Sequence, residues 1–192
     1  MHSLLEKRKC IIQSALDLIQ ENGFHASPVS QVAKNARVAV GTIYTYFDNK
    51  EALIIGIYEY VVEEIKIYVS ERDDPSLLFK DRFYNYWKSL TDFYELNPSM
   101  HGFYDQFIKS PFNSDEIQSK PNVWHDFACE FFESGIKQGK IKALNPIVLS
   151  ILVNSNVNSI VRIKHNFKKK LSQNKMELDE ISHLIWDGIK VD

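Results

Sequence analysis

Cysteine is scarce in this 192-residue chain: there are two, Cys10 and Cys129. Two thiols cannot build the disulfide framework of a small secreted domain, so a reducing, cytoplasmic setting is expected. Glycine (7) and proline (6) are also sparse, which excludes collagen-like and low-complexity readings. Neither sign of charge dominates. The 23 Lys and Arg against 25 Asp and Glu leave a net charge of -2, which excludes a generally basic coat on nucleic acid while allowing a local reading surface. No apolar run approaches the roughly 18 to 20 residues of a membrane span. Glu6 stands where a signal peptide would hold its apolar stretch. The expectation is therefore a soluble protein with no membrane partner.

Enzyme signatures are missing as well: there is no Gly-x-Gly-x-x-Gly, Walker loop, Gly-x-Ser-x-Gly or His-Glu-x-x-His. Glu180-Ile181-Ser182-His183 has the spacing of a di-iron ligand pair, but the chain holds no second copy. His125 and Cys129 stand at i, i+4 without the further cysteines of a zinc set. No enzymatic activity, catalytic residue, metal or cofactor is expected.

What is present is a 44% hydrophobic composition, enough for a globular core, and apolar residues at helical spacing. Ile12, Ala15, Leu16 and Ile19 mark a first helix that Asn22-Gly23 stops. Ile54, Ile57, Tyr58, Val61, Ile65 and Tyr68 mark a long one, with Asp48 and Glu51 at capping-box spacing ahead of it. Further stripes begin at Phe79 and Trp124, and two more helices span 147–163 and 178–189. Four pairs, Ser27-Pro28, Asp74-Pro75, Asn97-Pro98 and Asn145-Pro146, read as helix starts, because a polar cap followed by proline sacrifices no helical bond. No period-two alternation or hairpin turn is visible. The fold is expected to be all-α. The charge run Lys168-Lys169-Lys170 reads as a solvated loop.

The informative segment is Gly23 to Leu53. A short helix from Pro28 to Asn35, a three-residue turn Ala36-Arg37-Val38 and a second short helix near Ala39 to Tyr46 describe a helix-turn-helix. Val29, Val32, Ala33, Val38, Ile43 and Phe47 face inward on this reading. Val40, Gly41, Thr42, Tyr44, Thr45 and Tyr46 are left for an exposed face that a DNA backbone can approach closely. The string Gly41-Thr42-Ile43-Tyr44-x-Tyr46-Phe47-x-Asn49-Lys50-Glu51-x-Leu53 resembles the TetR/AcrR family of bacterial transcriptional regulators. The likeness covers about the first quarter of the chain. Arg37 replaces the glycine usual in the turn, and Ala39 the usual Ser or Thr cap.

The resemblance implies a helix-turn-helix DNA-binding domain over residues 1–48, followed by a helical effector-binding and dimerisation domain over 49–192. It implies that Thr42, Tyr44 and Lys50 touch phosphate or base edges, that Val40, Thr45 and Tyr46 face the major groove, and that Ser27 touches backbone. With no Arg or Lys in the second short helix, the common bidentate contact to guanine is unavailable, and Arg37 is the nearest candidate. An A·T-leaning inner half-site follows. Residues 1–53 hold six basic against five acidic side chains, a net +1, which leaves -3 for the rest. Lys7-Arg8-Lys9 either flank DNA or form a solvated first turn.

Bulky rings crowd the remaining helices. They build a core or, with a few polar groups, line a site for a small apolar or amphipathic effector. The candidate effector residues are Trp87, Tyr94, His101, Tyr104, Phe107, Trp124, Phe127, Phe131 and Asn154. The polar stretch Asn154 to Ser159 either lines that site or strips a dimer interface. The resemblance implies a homodimer through the last two helices, on a palindromic double-stranded DNA operator, as a repressor. A regulator answering to a protein partner is the alternative.

Overall fold

The helical spacing of the sequence is realised along nearly the whole chain. The computed structural model describes residues 4–166 and 175–191, and among these ten helices form: α1 (Leu4–Asn22), α2 (Val29–Asn35), α3 (Val40–Tyr44), α4 (Lys50–Ser70), α5 (Phe79–Leu96), α6 (Pro98–Phe107), α7 (Asp115–Gln118), α8 (Val123–Lys137), α9 (Pro146–Asn166) and α10 (Lys175–Ile189). Among the described residues there is no strand, and the β-type pairing is an isolated bridge between Ile141 and Lys190. The fold is all-α. The lysine run at 168–170 lies outside the described residues.

The chain forms two compact units. The first holds the residues up to Val62 together with Asn97–Pro121. Its core is built from the inward faces of α1 (Ile11, Ile12, Leu16), α4 (Ile54, Ile57) and α6 (Phe103, Phe107), all essentially fully buried. Phe24 meets Phe103 and Phe112 edge-on, with centroids 5.6 and 5.4 Å apart. Gly23, at φ +74°, ends α1 as expected, its N–H bonding the Ile19 carbonyl at 2.8 Å.

The second unit holds Glu63–Leu96 and the residues from Asn122 onward. Phe79, Phe83, Phe131, Phe132 and Trp186 fill its core. Phe79 lies against Gly135 so closely that a Cβ there would stand 2.3 Å from the ring. The Arg82 guanidinium donates twice to the Asp73 carboxylate, at 2.8 and 2.6 Å. This nearly buried pair fastens the α4–α5 connection to α5, and it holds the Arg82 guanidinium even more firmly charged than usual.

Three helix starts differ from the sequence reading. Pro28, not Ser27, occupies the N-cap of α2. α5 begins at Phe79 because Asp74 closes a turn instead, its carboxylate accepting from the Ser76 N–H and hydroxyl. α4 is capped by Asn49, whose Oδ1 accepts from Ala52 N–H at 2.8 Å, in place of Asp48. The pairs at Asn97-Pro98 and Asn145-Pro146 do start α6 and α9.

α9 also corrects the reading of apolar runs. Its 19-residue Pro146–Lys164 stretch reaches 1.3 in mean hydropathy, long and apolar enough by length and composition to cross a membrane. One of its faces, with Leu149, Val153, Val157, Ile160 and Val161, is buried in the second unit. On the other, Ile147, Val148, Ile151 and Leu152 stand 45–57% exposed.

Candidate DNA interface

The reading head is set by how α2 stops. Ala36 is its C-cap, the Arg37 N–H bonds the Lys34 carbonyl at 3.2 Å, and the Val38 N–H bonds the Ala33 carbonyl at 3.0 Å. That paired pattern is the Schellman motif, which places a left-handed residue just past the helix. Arg37 takes that conformation, at φ +55°, where the sequence lacks the expected glycine. The backbone thus keeps the turn, and the guanidinium is left exposed beside it.

From this turn α3 departs with Ala39 as an N-cap that makes no side-chain bond. α3 is shorter than expected, ending at Tyr44, with Thr45 as C-cap. Ile43 (1% exposed) and Phe47 (5%) pin it inward, while Val40, Gly41, Tyr44 and Thr45 are exposed. Thr42 and Tyr46 are half-buried. The Thr45 hydroxyl donates to the Thr42 carbonyl at 2.7 Å, so its oxygen lone pairs face outward only as acceptors. Outside its chain neighbours and the backbone of its own helix, nothing lies within 4 Å of where a Gly41 Cβ would stand.

Lys50 opens α4, and its ammonium donates to the Phe24 carbonyl at 2.7 Å. That bond ties the start of α4 to the segment ahead of α2 and leaves two further N–H donors on the ammonium. Ser27 sits elsewhere than the resemblance implied. It is 3% exposed, and its hydroxyl is turned inward between the carbonyls of Leu18 (3.2 Å) and Gly23 (2.7 Å). Its role here is to close the end of α1. Arg8, within the basic Lys7-Arg8-Lys9 run, lies over the Phe47 ring at 5.5 Å. The sequence pattern carried no sign of that contact.

The nine candidate effector residues divide between the units. His101, Tyr104 and Phe107 belong to the first, where Phe107 stacks on Tyr58 at 4.1 Å and burial pushes the Tyr104 phenol well above its ordinary range. Trp87, Tyr94, Trp124, Phe127, Phe131 and Asn154 belong to the second. There Tyr86, absent from the sequence-derived set, brings four of them together. It stacks on Trp124 (5.6 Å) and Phe131 (4.7 Å), Phe127 follows at 6.0 Å from Trp124, and its hydroxyl donates to Asn154 Oδ1 at 2.7 Å. Ser150, one turn before Asn154, accepts from its amide at 3.3 Å. The polar stretch of α9 therefore splits, with Asn154 and Asn158 turned inward, as Ser150 is one turn earlier, and Ser155 outward. A separate cleft of about 380 Å³, lined by Phe79, Lys80, Lys140, Trp186 and Lys190 among others, touches none of the nine.

Two short helices joined by the four residues 36–39, the second presenting Val40, Gly41 and Tyr44 outward, define a helix-turn-helix DNA-binding protein. Residues 11–57 match the family model described as bacterial regulatory proteins, tetR family, and residues 78–190 match the tetracyclin repressor-like C-terminal domain. The chain belongs to the TetR family of transcriptional regulators. It is 40% identical over 81 residues to the fatty acid metabolism regulator protein of Bacillus subtilis, a match that covers 38% of this chain and 42% of that protein. It is 28% identical over 144 residues to an uncharacterized HTH-type transcriptional regulator of the same organism, covering 74% of this chain and 75% of the other. Among solved structures, a TetR-family regulator from Haemophilus influenzae superposes with a TM-score of 0.82 at 20% identity, covering 97% of this chain and 98% of that one. The regulator FadR from Bacillus subtilis, solved in complex with stearoyl-CoA, gives 0.73 at 22% identity, covering 93% and 95%.

Proposed function

We propose that this chain is a homodimeric repressor that binds a palindromic operator and is released from it by a long-chain acyl-CoA or a similar apolar, acid-headed effector. The observation that carries the DNA half is the outward face of α3, with Val40, Gly41, Tyr44 and Thr45 exposed and open space over Gly41. On this reading residues 1–48 are the reading head and 49–192 the effector and dimerisation part. Tyr44, Thr42 and Lys50 hold phosphates, Arg37 reaches a groove edge from the turn, and Val40 and Thr45 meet thymine methyls in an A·T-leaning inner half-site.

The stearoyl-CoA in the FadR neighbour supports the effector class. The exposed apolar face of α9 supports the dimer, because four half-exposed Ile, Val and Leu side chains on one helix face mark an association surface. We assign that face to a second copy and not to lipid.

Fluorescence anisotropy on DNA from upstream of the chain's own gene, across a salt series, tests the reading. The expected result is sub-micromolar, salt-sensitive binding at two protomers per site, lost in Tyr44→Ala and Lys50→Ala and reversed by dodecanoyl-CoA. Equal, weak binding to operator and random DNA from every genomic fragment sampled would overturn the DNA half. A monomer by light scattering at micromolar concentration would overturn the dimer.

A further inference from the structure

Among the described residues, two buried side-chain atoms have no hydrogen-bond partner: Trp124 Nε1 and Asn156 Oδ1. A buried N–H without an acceptor is costly and rare, and phenylalanine would supply a ring without that cost. Trp124 is 2% exposed, and its position is fixed on several sides. Asn122 Oδ1 accepts from its backbone N–H at 3.1 Å, at the N-cap of α8. Its indole stacks on Tyr86, with planes 14° apart, and on Phe127. The neighbouring polar groups are committed to each other. The Tyr86 hydroxyl donates to Asn154 Oδ1, and the Asn154 amide donates to Ser150 Oγ.

We infer that Trp124 Nε1 is the polar anchor of the effector, donating to a carbonyl or carboxyl oxygen of a ligand whose chain lies among the rings of Tyr86, Phe127 and Phe131. This rests on the effector reading proposed above. The chemistry is selective in two ways. An indole N–H only donates, so the ligand must offer an acceptor. The surrounding rings offer contact area but no charge, so the part of the ligand that lies among them must be apolar. An alkyl chain ending in a thioester or carboxyl meets both demands.

The test compares dodecanoyl-CoA with dodecyl-CoA, the thioether that lacks only the carbonyl oxygen, by calorimetric titration of the wild-type protein and Trp124→Phe. The expected result is that wild type binds the thioester about tenfold tighter than the thioether, the value of one buried hydrogen bond. Trp124→Phe binds the two alike. In the wild-type ¹H–¹⁵N spectrum the thioester moves the Trp124 indole signal downfield, while the thioether leaves it in place. Trp87 and Trp186 supply the internal comparison. Equal discrimination by wild type and variant, or an unmoved Trp124 signal in the bound state, overturns the anchor and leaves the acyl-CoA reading standing. Failure of wild type to bind either compound overturns the acyl-CoA reading and the anchor with it.

Discussion

Gly41→Ala separates what the protein needs at that position from what a partner needs there. Glycine inside a helix is about 0.5–1 kcal/mol less favourable than alanine. At Gly41 the added methyl meets nothing within 4 Å beyond its chain neighbours and its own helix's backbone, so no steric cost opposes that gain. α3 is only five residues long and Gly41 lies in its first turn, which puts the expected gain at the low end, about 0.5 kcal/mol. For a domain of this size that is a rise of roughly 1–2 °C in melting temperature. The same methyl would stand between α3 and a closely approaching DNA backbone. Holding that backbone off weakens operator binding by about tenfold or more, about 1.4 kcal/mol. Differential scanning fluorimetry and anisotropy on one preparation read both numbers. A variant that gains stability and keeps full operator affinity refutes close approach at Gly41. One that loses stability refutes the open space.

Arg37→Gly is expected to stabilise the head by about 1 kcal/mol, since glycine relieves the left-handed φ of +55°. It should also relax base preference at the groove edge that the guanidinium reaches, so that operator and random DNA are told apart less well; chemical denaturation and anisotropy on both DNAs would read the two effects. Gly135→Ala goes the other way, because its methyl would stand 2.3–2.8 Å from three atoms of the Phe79 ring. It is expected to lose about 1–3 kcal/mol in urea unfolding, and a neutral result would mean that Phe79 moves freely. Cys10 is exposed, whereas burial and the nearby Asp126 charge push the Cys129 thiol above its ordinary 9.0. Thiol titration at pH 8 should therefore be biphasic with Cys10 first, the slow phase quickening as pH rises past 9; a single fast phase would contradict the structure.

The sequence made most helices legible because their apolar residues repeat with the helical period, and Gly23, Asn97-Pro98 and Asn145-Pro146 mark ends through local backbone chemistry. The errors fall where a polar side chain had a second possible partner. Ser27 has the chemistry of a cap, but carbonyls of Leu18 and Gly23 at the end of α1 capture its hydroxyl. Asp74 closes its own turn through Ser76. In the reading head, spacing alone picks out the exposed Val40, Gly41, Tyr44 and Thr45 but counts the half-buried Thr42 and Tyr46 with them, whereas the contacts of Arg8 with Phe47 and of Lys50 with the Phe24 carbonyl join residues 39 and 26 positions apart. The effector set is least legible. Rings of one type serve either unit equally well, and only three-dimensional pairing shows that Tyr86 gathers Trp124, Phe131 and Asn154 while His101, Tyr104 and Phe107 lie with α6 in the other unit. α9 does not read as an unbroken apolar run because its Asn and Ser residues interrupt a stretch that is apolar on average.

That two-faced α9 makes the quantity of the protein a variable in its own right. One apolar side of the helix is satisfied within the chain while the other stands half-exposed, so under the dimer proposed above its coverage follows mass action and not folding alone. On that proposal dilution bares the outer face and accumulation covers it. A cell holding few copies would carry chains with that face bare, open to proteases and to adventitious sticking. A cell holding many would carry them sealed.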